Sequence, residues 1–216
     1  MKVGVFDSGK GGTTVLAAIE RELPDVEYKY IADSKNCPYG EKSDAELMQI
    51  VERHVENLRD WGAKIIVIAC NTATTRCIEE MRKRYPDLLF VGTEPAIKMA
   101  AGLGAKKVLV MATPGTVAAE RTMRLLEENR NPGQEIDLLA CVGLADAIER
   151  GIGVRERLGE LLDGIEQDIQ VVVLGCTHYS LIKTEIQKYL PGAKLIDGNE
   201  GVAKRVRELV RQIEVA

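Results

Sequence analysis

The sequence has few aromatic residues and few cysteines, and it lacks long apolar runs. Phe, Tyr and Trp together make up 4% of the chain, while hydrophobic residues as a whole make up 45%, so the cores must be aliphatic. The five cysteines are not spaced as a disulfide framework. No run approaches the roughly 18 apolar residues of a membrane span, and residues 1–6 are too short for the apolar part of a signal peptide. These absences predict a cytoplasmic protein with reduced thiols and no membrane partner.

The sequence also lacks a strong excess of either sign of charge. Lys and Arg number 29, Asp and Glu number 33, and the net charge is −4, with both signs scattered along the chain. Because no basic block stands out, the composition argues against a nucleic-acid partner. No Cys-x-x-Cys pair occurs, which argues against a structural zinc site, although Cys176 and His178 keep that alternative open.

The glycine-rich turn after the first apolar run argues against a nucleotide site. Residues 4–10 nearly spell the Gly-x-x-x-x-Gly-Lys loop, but Gly11 stands where a Ser or Thr would hold magnesium. The carboxylate of Asp7 would also repel phosphate, whereas it suits proton handling.

A repeated pattern organises the chain, in which a buried strand ends in a cysteine. Apolar residues 65–69 lead into Cys70, and a second apolar run leads into Cys176. The same offset along the chain places Asp7 against Thr113, so the first strand of each half repeats as well. Strands and helices alternate throughout, which predicts parallel sheets covered on both faces.

The predicted architecture is α/β, with two pseudo-symmetric doubly wound parallel-sheet domains that face an interdomain cleft. We expect residues 1–92 and 199–216 to form the first domain and residues 93–198 the second. Ligands of such sheets bind beyond the carboxyl ends of the strands. We therefore expect convergence in the cleft of the residues that follow strands, namely Asp7, Cys70, Thr113 and Cys176.

Individual helices can also be predicted. Ser43, with Glu46 three residues later, forms a capping box at the start of a helix that ends near residue 61. His54 lies among charged residues of this helix, so we expect it on the surface. In the second half, single helices are predicted over residues 117–128 and from residue 177 to about residue 190.

Four motifs together resemble those of bacterial glutamate racemases, within the cofactor-independent aspartate/glutamate racemase superfamily. The motifs fall in the order that the family shows and span nearly the whole chain. They are Gly4-Val5-Phe6-Asp7-Ser8-Gly9 with Gly11-Gly12, Pro38-Tyr39-Gly40, Ala69-Cys70-Asn71-Thr72-Ala73, and Gly175-Cys176-Thr177-His178-Tyr179. The last motif looks like the glutamate branch, because aspartate racemases more often carry an acid where His178 stands.

The resemblance implies interconversion of L- and D-glutamate, the supply of D-glutamate for peptidoglycan, and a homodimer. It implies that Cys70 and Cys176 act as acid and base on opposite faces of the α-carbon. It further implies that Asp7 assists Cys70, while His178 and Glu149 assist Cys176. The implied substrate-binding residues are Ser8, Pro38, Tyr39, Gly40, Asn71, Thr72, Thr113, Thr116 and Thr177.

The chemistry of the two cysteines agrees with these implied roles. Inverting an α-carbon requires one group on each face, and a thiol with an ordinary pKa of about 8.5 is close to the working pH of a general base. Both cysteines stand at strand-to-helix junctions, where the helix dipole favours the thiolate. No lysine context for pyridoxal and no metal cluster stand out, so we expect no cofactor and no metal. Cys37, which precedes Pro38, is expected to add a third thiol near the pocket.

Two alternatives stay open at this point. The chain could racemise aspartate or another amino acid in the same site, because the motifs do not set the length of the pocket. It could also be a binding relative without activity, or a redox or zinc-binding protein that uses its thiols.

Overall fold

A computed structural model describes residues 1–215, which fold into two four-stranded sheets of parallel strands. The first sheet has the strand order β2-β1-β3-β4, and every pairing in it is parallel. Its strands are β1 (Lys2–Asp7), β2 (Glu27–Ala32), β3 (Ile65–Ile68) and β4 (Leu89–Gly92).

The second sheet repeats this arrangement. Its order is β6-β5-β7-β8, again with parallel pairing throughout. The strands are β5 (Lys107–Ala112), β6 (Glu135–Ala140), β7 (Val171–Gly175) and β8 (Lys194–Ile196). The strands that precede the two cysteines, β3 and β7, therefore occupy the same place in their sheets, and the predicted internal repeat is confirmed.

Helices connect the strands, as parallel pairing requires. In the first half they are α1 (Thr13–Glu22), α2 (Asp44–Asp60) and α3 (Asn71–Arg84), and the next helix, α4 (Ile97–Gly102), packs on the second sheet. In the second half they are α5 (Pro114–Val117), α6 (Glu120–Asn129), α7 (Leu144–Arg150), α8 (Val154–Leu162), α9 (Thr177–Ser180), α10 (Lys183–Tyr189) and α11 (Asn199–Val215). Ser43 caps α2 as predicted, because its Oγ accepts a hydrogen bond of 3.3 Å from the backbone N–H of Glu46.

Two predictions about helices are wrong, and one helix was not predicted. The stretch predicted as one helix over 117–128 is broken at Ala118 and Ala119, where Ala119 is extended and the Thr122 hydroxyl donates to the Thr116 carbonyl at 2.6 Å. The helix predicted to follow Cys176 is likewise broken, between α9 and α10. The sequence-based reading also missed α4, a helix of six residues that buries Ile97 and Ala100.

Apolar residues lie on both faces of each sheet. In β3, Ile66 and Ile68 join the core beneath α2 and α3, whereas Ile65 and Val67 join the core beneath α1 and α11. A fully buried side chain of this size stabilises the fold by about 1.5–3 kcal/mol. This two-sided burial explains why the strands are continuous apolar runs with no polar alternation.

The final helix, α11, packs on the first half of the chain. Val206 and Val210 share a core with Val15 and Ile19 of α1, and Arg207 forms an ion pair with Glu22. We therefore propose that residues 1–92 and 199–216 form one domain and residues 93–198 the other, with residue 216 lying outside the described residues. Within residues 1–215, no helix combines the length and the apolar character needed to cross a bilayer.

Candidate active site

The carboxyl ends of the two sheets face each other, and the residues that follow the strands meet there. Thr177, which follows Cys176, donates its hydroxyl to Asp7 at the end of β1, with 3.2 Å to each carboxylate oxygen. Thr72 in the first turn of α3 lies against Thr113 at the end of β5, with 2.8 Å between the hydroxyl oxygens. The predicted convergence at the strand ends is thus present as direct contact between the two halves.

Cys70 stands between β3 and α3, where it is the residue that caps the helix. Burial, followed by the charge of Asp7, raises the pKa of Cys70 to about 11. The backbone N–H groups of Thr72 and Ala73 and the hydroxyl of Ser8 act in the opposite direction and favour the thiolate, but to a smaller extent. In this closed arrangement Cys70 is therefore a thiol at neutral pH.

Cys176 occupies the equivalent position between β7 and α9. Its sulfur lies 3.8 Å from Nδ1 of His178, and Nε2 of His178 lies 2.8 Å from Oε2 of Glu149. Burial raises the pKa of Cys176 well above its ordinary value, and the charge of Cys70 raises it further, while the backbone N–H of His178 lowers it. Because the charge of one sulfur acts on the pKa of the other, the arrangement favours a state with at most one thiolate.

Asp7 is fully buried beside both cysteine loops. Its Oδ2 accepts hydrogen bonds from the backbone N–H groups of Gly9 at 3.2 Å and Gly12 at 2.9 Å, in addition to the bond from Thr177. Burial raises the pKa of Asp7, although these bonds and the charge of His178 act in the opposite direction. A carboxyl group with a raised pKa is suited to hold and release a proton.

Glu149, near the end of α7, contacts residues of the first half of the chain. Its carboxylate accepts hydrogen bonds from the backbone N–H of Lys10 at 2.9 Å, from the hydroxyl of Ser34 and from His178. Burial alone would raise the pKa of Glu149, but the bonds from Ser34, Lys10 and His178 lower it. Glu149 is therefore ionised and orients the His178 ring towards Cys176.

Buried hydroxyl and amide groups surround the same space. Thr72 Oγ1 lies 3.2 Å from Thr116 Oγ1, and Thr113 Oγ1 lies 3.1 Å from Thr116 Oγ1, so the three hydroxyls form a cluster. Asn71 Oδ1 is buried and accepts no hydrogen bond within the part of the chain that the structure describes. A buried acceptor without a partner costs free energy unless a ligand supplies the donor.

A hydrogen-bond network centred on Asp33, which we did not predict, positions the loop that carries Pro38, Tyr39 and Gly40. The hydroxyl of Tyr39 donates to Asp33 Oδ2 at 2.7 Å, and Nε2 of His54 lies 3.0 Å from the same oxygen. The prediction that His54 is a surface residue is wrong, because its side chain is 14% exposed and its ring lies 5.5 Å from the Phe6 ring. The spacing of His54 from buried Leu47, Ile50 and Leu58 places it on the apolar face of α2, and this was the signal that we missed.

The site is closed. A groove of about 610 Å³ opens beside it and is lined by Gly40, Arg76 and Gly115, among others, but by neither cysteine. Gly40 packs so closely on Thr113 that an added Cβ would lie 2.9 Å from the Thr113 Cβ. Cys70 and Cys176 are 5% and 7% exposed, so an amino acid has little access to either thiol in this arrangement.

Every residue predicted for the site lies at this boundary or on a loop that forms it. The structure adds four residues to those predicted for the site. Asp33 and His54 belong to the network beneath Tyr39, and Lys10 and Ser34 contact Glu149. Cys37 lies close to Glu149 and His178, which places the third thiol at the edge of the site. All five cysteines are free thiols.

Comparison with known proteins gives consistent results. The sequence matches the family model described as Asp/Glu/Hydantoin racemase over residues 10–206. A glutamate racemase of Clostridium acetobutylicum is 37% identical over an alignment of 219 positions that covers 99% of this chain and 85% of that protein. A glutamate racemase of Campylobacter curvus is 41% identical over 225 residues, covering 98% of this chain and 84% of that protein.

The fold is similar to that of solved racemases as well. The crystal structure of Escherichia coli glutamate racemase in complex with L-glutamate and the activator UDP-MurNAc-ala superposes with a TM-score of 0.88 at 35% identity. The alignment covers 97% of this chain and 82% of that chain. The predicted α/β fold with two parallel sheets is thereby confirmed.

Proposed function

Because this chain belongs to the Asp/Glu/hydantoin racemase family, we propose that it is a glutamate racemase that moves protons with two cysteines. It interconverts L- and D-glutamate by removing the α-hydrogen on one face of the carbon and returning a hydrogen on the other. The motif resemblance, the relatives named glutamate racemase and the likeness to the E. coli enzyme support glutamate as the substrate. Its role is to supply D-glutamate for peptidoglycan.

The observation that carries the proposal is the equivalent placement of the two thiols. Cys70 and Cys176 follow β3 and β7, which hold the same place in the two sheets, and each begins a helix. Each thiol also has its own neighbouring acid or base, Asp7 on one side and His178 on the other. A reaction that must be catalysed equally well from either face needs such a pair of similar groups.

The raised pKa values of the thiols indicate how the reaction begins. A buried thiol that is protonated in the closed enzyme needs a positive charge nearby before it becomes a base. The α-ammonium group of the amino acid supplies that charge when the amino acid binds with its α-carbon between the two sulfurs. In each direction one cysteine is then the thiolate that takes the α-hydrogen and the other is the thiol that donates its own.

Proton partners complete each side. When Cys70 acts as the base, Asp7 accepts the proton that Cys70 gives up and later releases it to water, because Cys70 regains a proton from the α-carbon. When Cys70 acts as the acid, Asp7 supplies a proton to the thiolate that remains. His178, oriented by Glu149, does the same for Cys176. The two relays differ in chemistry because the carboxylate has no counterpart in the second half of the chain.

Substrate binding uses the groups that surround the thiols. We propose that backbone N–H groups at the starts of α3 and α9 bind the carboxylates, as helix N-termini bind anions in general, and that the unpaired Oδ1 of Asn71 accepts a bond from the ammonium group. Donors preorganised around the developing negative charge supply the largest part of the rate enhancement. The side chains and loop residues proposed to hold the substrate are Ser8, Pro38, Tyr39, Gly40, Asn71, Thr72, Thr113, Thr116 and Thr177.

The proposed reaction needs no cofactor and no metal, because the two thiols supply both the acid and the base. We also propose a homodimer and a cytoplasmic location, which follow from the family resemblance and from the thiol content. Size-exclusion chromatography with light scattering tests the first of these, and fractionation of cells tests the second.

The test compares Cys70→Ser and Cys176→Ser with the unmodified chain. Circular dichroism follows the conversion of L- and D-glutamate, and proton NMR in D₂O follows exchange of the α-hydrogen. Loss of a general acid or base reduces the rate by about 10²–10⁴-fold, so we expect each variant to lose racemisation to that extent. Cys77→Ala is the matched control, because Cys77 is also a buried free thiol but lies in the core beneath α2 and α3.

Retention of racemisation by either serine variant would contradict the two-thiol scheme. Running aspartate beside glutamate decides the remaining alternative within the family. Faster exchange of the α-hydrogen of aspartate would reassign the substrate, whereas no exchange with any amino acid would favour a binding relative without activity.

A further inference from the structure

Three side chains with metal-binding atoms meet at the edge of the site. The Cys37 sulfur, a Glu149 carboxylate oxygen and a His178 ring nitrogen all lie within 4.8 Å of one another. They come from three separate parts of the chain, namely the loop after β2, helix α7 and helix α9. Cys37 has no part in the proposed reaction, so its presence beside two residues that do is unexplained by racemisation.

The types and spacing of these donors fit Zn²⁺. This ion binds Cys sulfur at about 2.3 Å, His nitrogen at about 2.0–2.1 Å and carboxylate oxygen at about 2.0–2.2 Å in tetrahedral geometry. Tetrahedral ligands at such distances lie about 3.5 Å apart. The His178–Glu149 pair, now 2.8 Å apart, would have to open by less than about 1 Å to admit the ion. Three protein ligands leave a fourth position for water.

The charges around Cys37 also favour a cation. Burial raises the pKa of Cys37 to about 12, and the carboxylates of Glu149, Asp7 and Asp146 contribute to this rise. Negative groups that disfavour a thiolate favour a positive ion at the same place. The ammonium group of Lys10, a nearby cation, is directed to the backbone carbonyl of Glu149 at 2.9 Å and not to its carboxylate.

The cluster is accessible from solvent on one side. Cys37 is partly exposed, and the Glu149 side chain is 12% exposed, whereas His178 is buried. Lys10 and Ser34, which contact Glu149 from the outside, are themselves at the surface. An ion can therefore reach Cys37 and Glu149 first and then bind His178.

We propose that Cys37, Glu149 and His178 form an inhibitory site for Zn²⁺. On binding, the Cys37 thiol releases its proton to water, and sulfur, carboxylate and ring nitrogen each donate an electron pair to the ion. The hydrogen bond between Glu149 and His178 is lost, and His178 is held by the ion. Inhibition of racemisation rests on the role of His178 in the proposed function, but zinc binding does not.

The first arm of the test measures binding alone, with the full chain. Isothermal titration with ZnCl₂ should give one site per chain. Cys37→Ser should weaken zinc binding by at least about tenfold, because even the loss of a residue that only hydrogen-bonds to a metal ligand weakens binding by about 10–100-fold. Co²⁺ in place of Zn²⁺ should give a thiolate-to-cobalt absorption band in the unmodified chain and none in Cys37→Ser. Cys77→Ala, which removes a thiol outside the cluster, should behave like the unmodified chain.

The second arm measures racemisation with zinc present. Zn²⁺ should inhibit the unmodified chain and EDTA should restore activity, while Cys37→Ser should need at least about ten times more zinc for the same inhibition. Equal zinc binding and equal inhibition in Cys37→Ser would overturn the proposal and place the ion on the catalytic thiols instead. Absence of binding in the titration would overturn it whether or not the chain racemises glutamate, so the two proposals fail separately.

Discussion

Thr177 Oγ1 lies 3.2 Å from both carboxylate oxygens of Asp7 and joins the two halves of the site by one hydroxyl group. Asp7 belongs to the Cys70 side and Thr177 directly follows Cys176. The residue proposed to handle the proton of Cys70 is thus hydrogen-bonded to the loop that carries Cys176. Burial raises the pKa of Asp7, and this contact acts in the opposite direction to a smaller extent.

The stability conferred by Asp7 should depend on pH in a direction opposite to that of most carboxylates. Its folded-state pKa is raised above the ordinary value of 3.8, so between these two pKa values the folded state binds more protons than the unfolded state. The free energy of unfolding therefore falls as pH rises through this interval. We expect the melting temperature of the unmodified chain, relative to Asp7→Asn, to be higher at pH 5 than at pH 8. For a chain of this size, each kcal/mol of change in the free energy of unfolding shifts the melting temperature by about 2–4 °C.

Thermal melts followed by circular dichroism across pH 5–8 provide the measurement. Groups distant from Asp7 contribute equally in the two proteins and cancel in the difference, and the Cys70 thiol, which the charge of Asp7 affects, titrates above this pH range. A difference in melting temperature that stays constant with pH would show that Asp7 has the same pKa in the folded and the unfolded chain.

The pH dependence of activity should reflect protonated thiols. Burial raises the pKa of Cys70 to about 11 and that of Cys176 well above its ordinary value. The fraction of thiolate in the free enzyme then grows with pH throughout the neutral and mildly alkaline range. We expect kcat/KM for L-glutamate to rise continuously from pH 7 to pH 9, and initial rates at low substrate concentration measure it. A plateau reached below pH 8 would indicate a thiolate that exists before substrate binds.

His54→Leu should weaken both the fold and substrate binding. Burial raises the pKa of Asp33, but hydrogen bonds from His54, Tyr39 and Asn36 lower it to a greater extent, so the carboxylate is ionised. Removing one of its donors leaves the charge less well satisfied, at a cost of about 1–3 kcal/mol. Because Asp33 also holds Tyr39, we expect KM for glutamate to rise more than kcat falls.

Thermal melts and steady-state kinetics test this network. Arg53→Leu is the matched control, since Arg53 is the neighbouring residue of α2 and is exposed. If both variants melted at the temperature of the unmodified chain, the network would have no part in stability. If kcat fell and KM did not change, Asp33 would act on the reaction itself.

Gly11→Ala should interfere with domain closure. A Cβ at this position would lie 2.5 Å from the backbone nitrogen of His178 and 2.7 Å from the backbone carbon of Thr177. Because backbone atoms cannot turn aside as a flexible side chain can, the two domains would have to move apart. We expect racemisation to fall by at least about tenfold, as 1 Å displacements cost up to 10²-fold in well-ordered sites.

The control for this substitution is Gly201→Ala in α11. An added Cβ there meets no atom within 4 Å, and replacing a helical glycine by alanine stabilises a helix by about 0.5–1 kcal/mol. We expect Gly201→Ala to melt slightly higher than the unmodified chain and to remain active. Full activity of Gly11→Ala would show that closure tolerates a wider gap than the structure contains.

The positions of the strands and of both cysteines could be predicted from the sequence. A strand that is buried on both faces is a continuous apolar run, and such runs precede Cys70 and Cys176. The capping pair Ser43 and Glu46 was equally readable, because a cap is a local hydrogen bond. His54 was misjudged because its charged neighbours in the chain were given more weight than its helical spacing from buried residues. The break at Ala119 was missed, since neither alanine nor its neighbours in the chain are typical helix breakers, and the bond from the Thr122 hydroxyl to the Thr116 carbonyl spans it.

The sequence by itself determined that each half of the chain builds the same sheet and ends an inner strand at a thiol, because periodicity and apolar runs act locally. Only the tertiary structure decided which side chains meet across the boundary. The residues that meet there are distant in the chain. The contacts are those of Glu149 with Lys10 and Ser34, of Thr72 with Thr113, and of Cys37 with His178. Their contacts depend on how two separately folded sheets are oriented towards each other, and no local pattern of residues encodes that orientation.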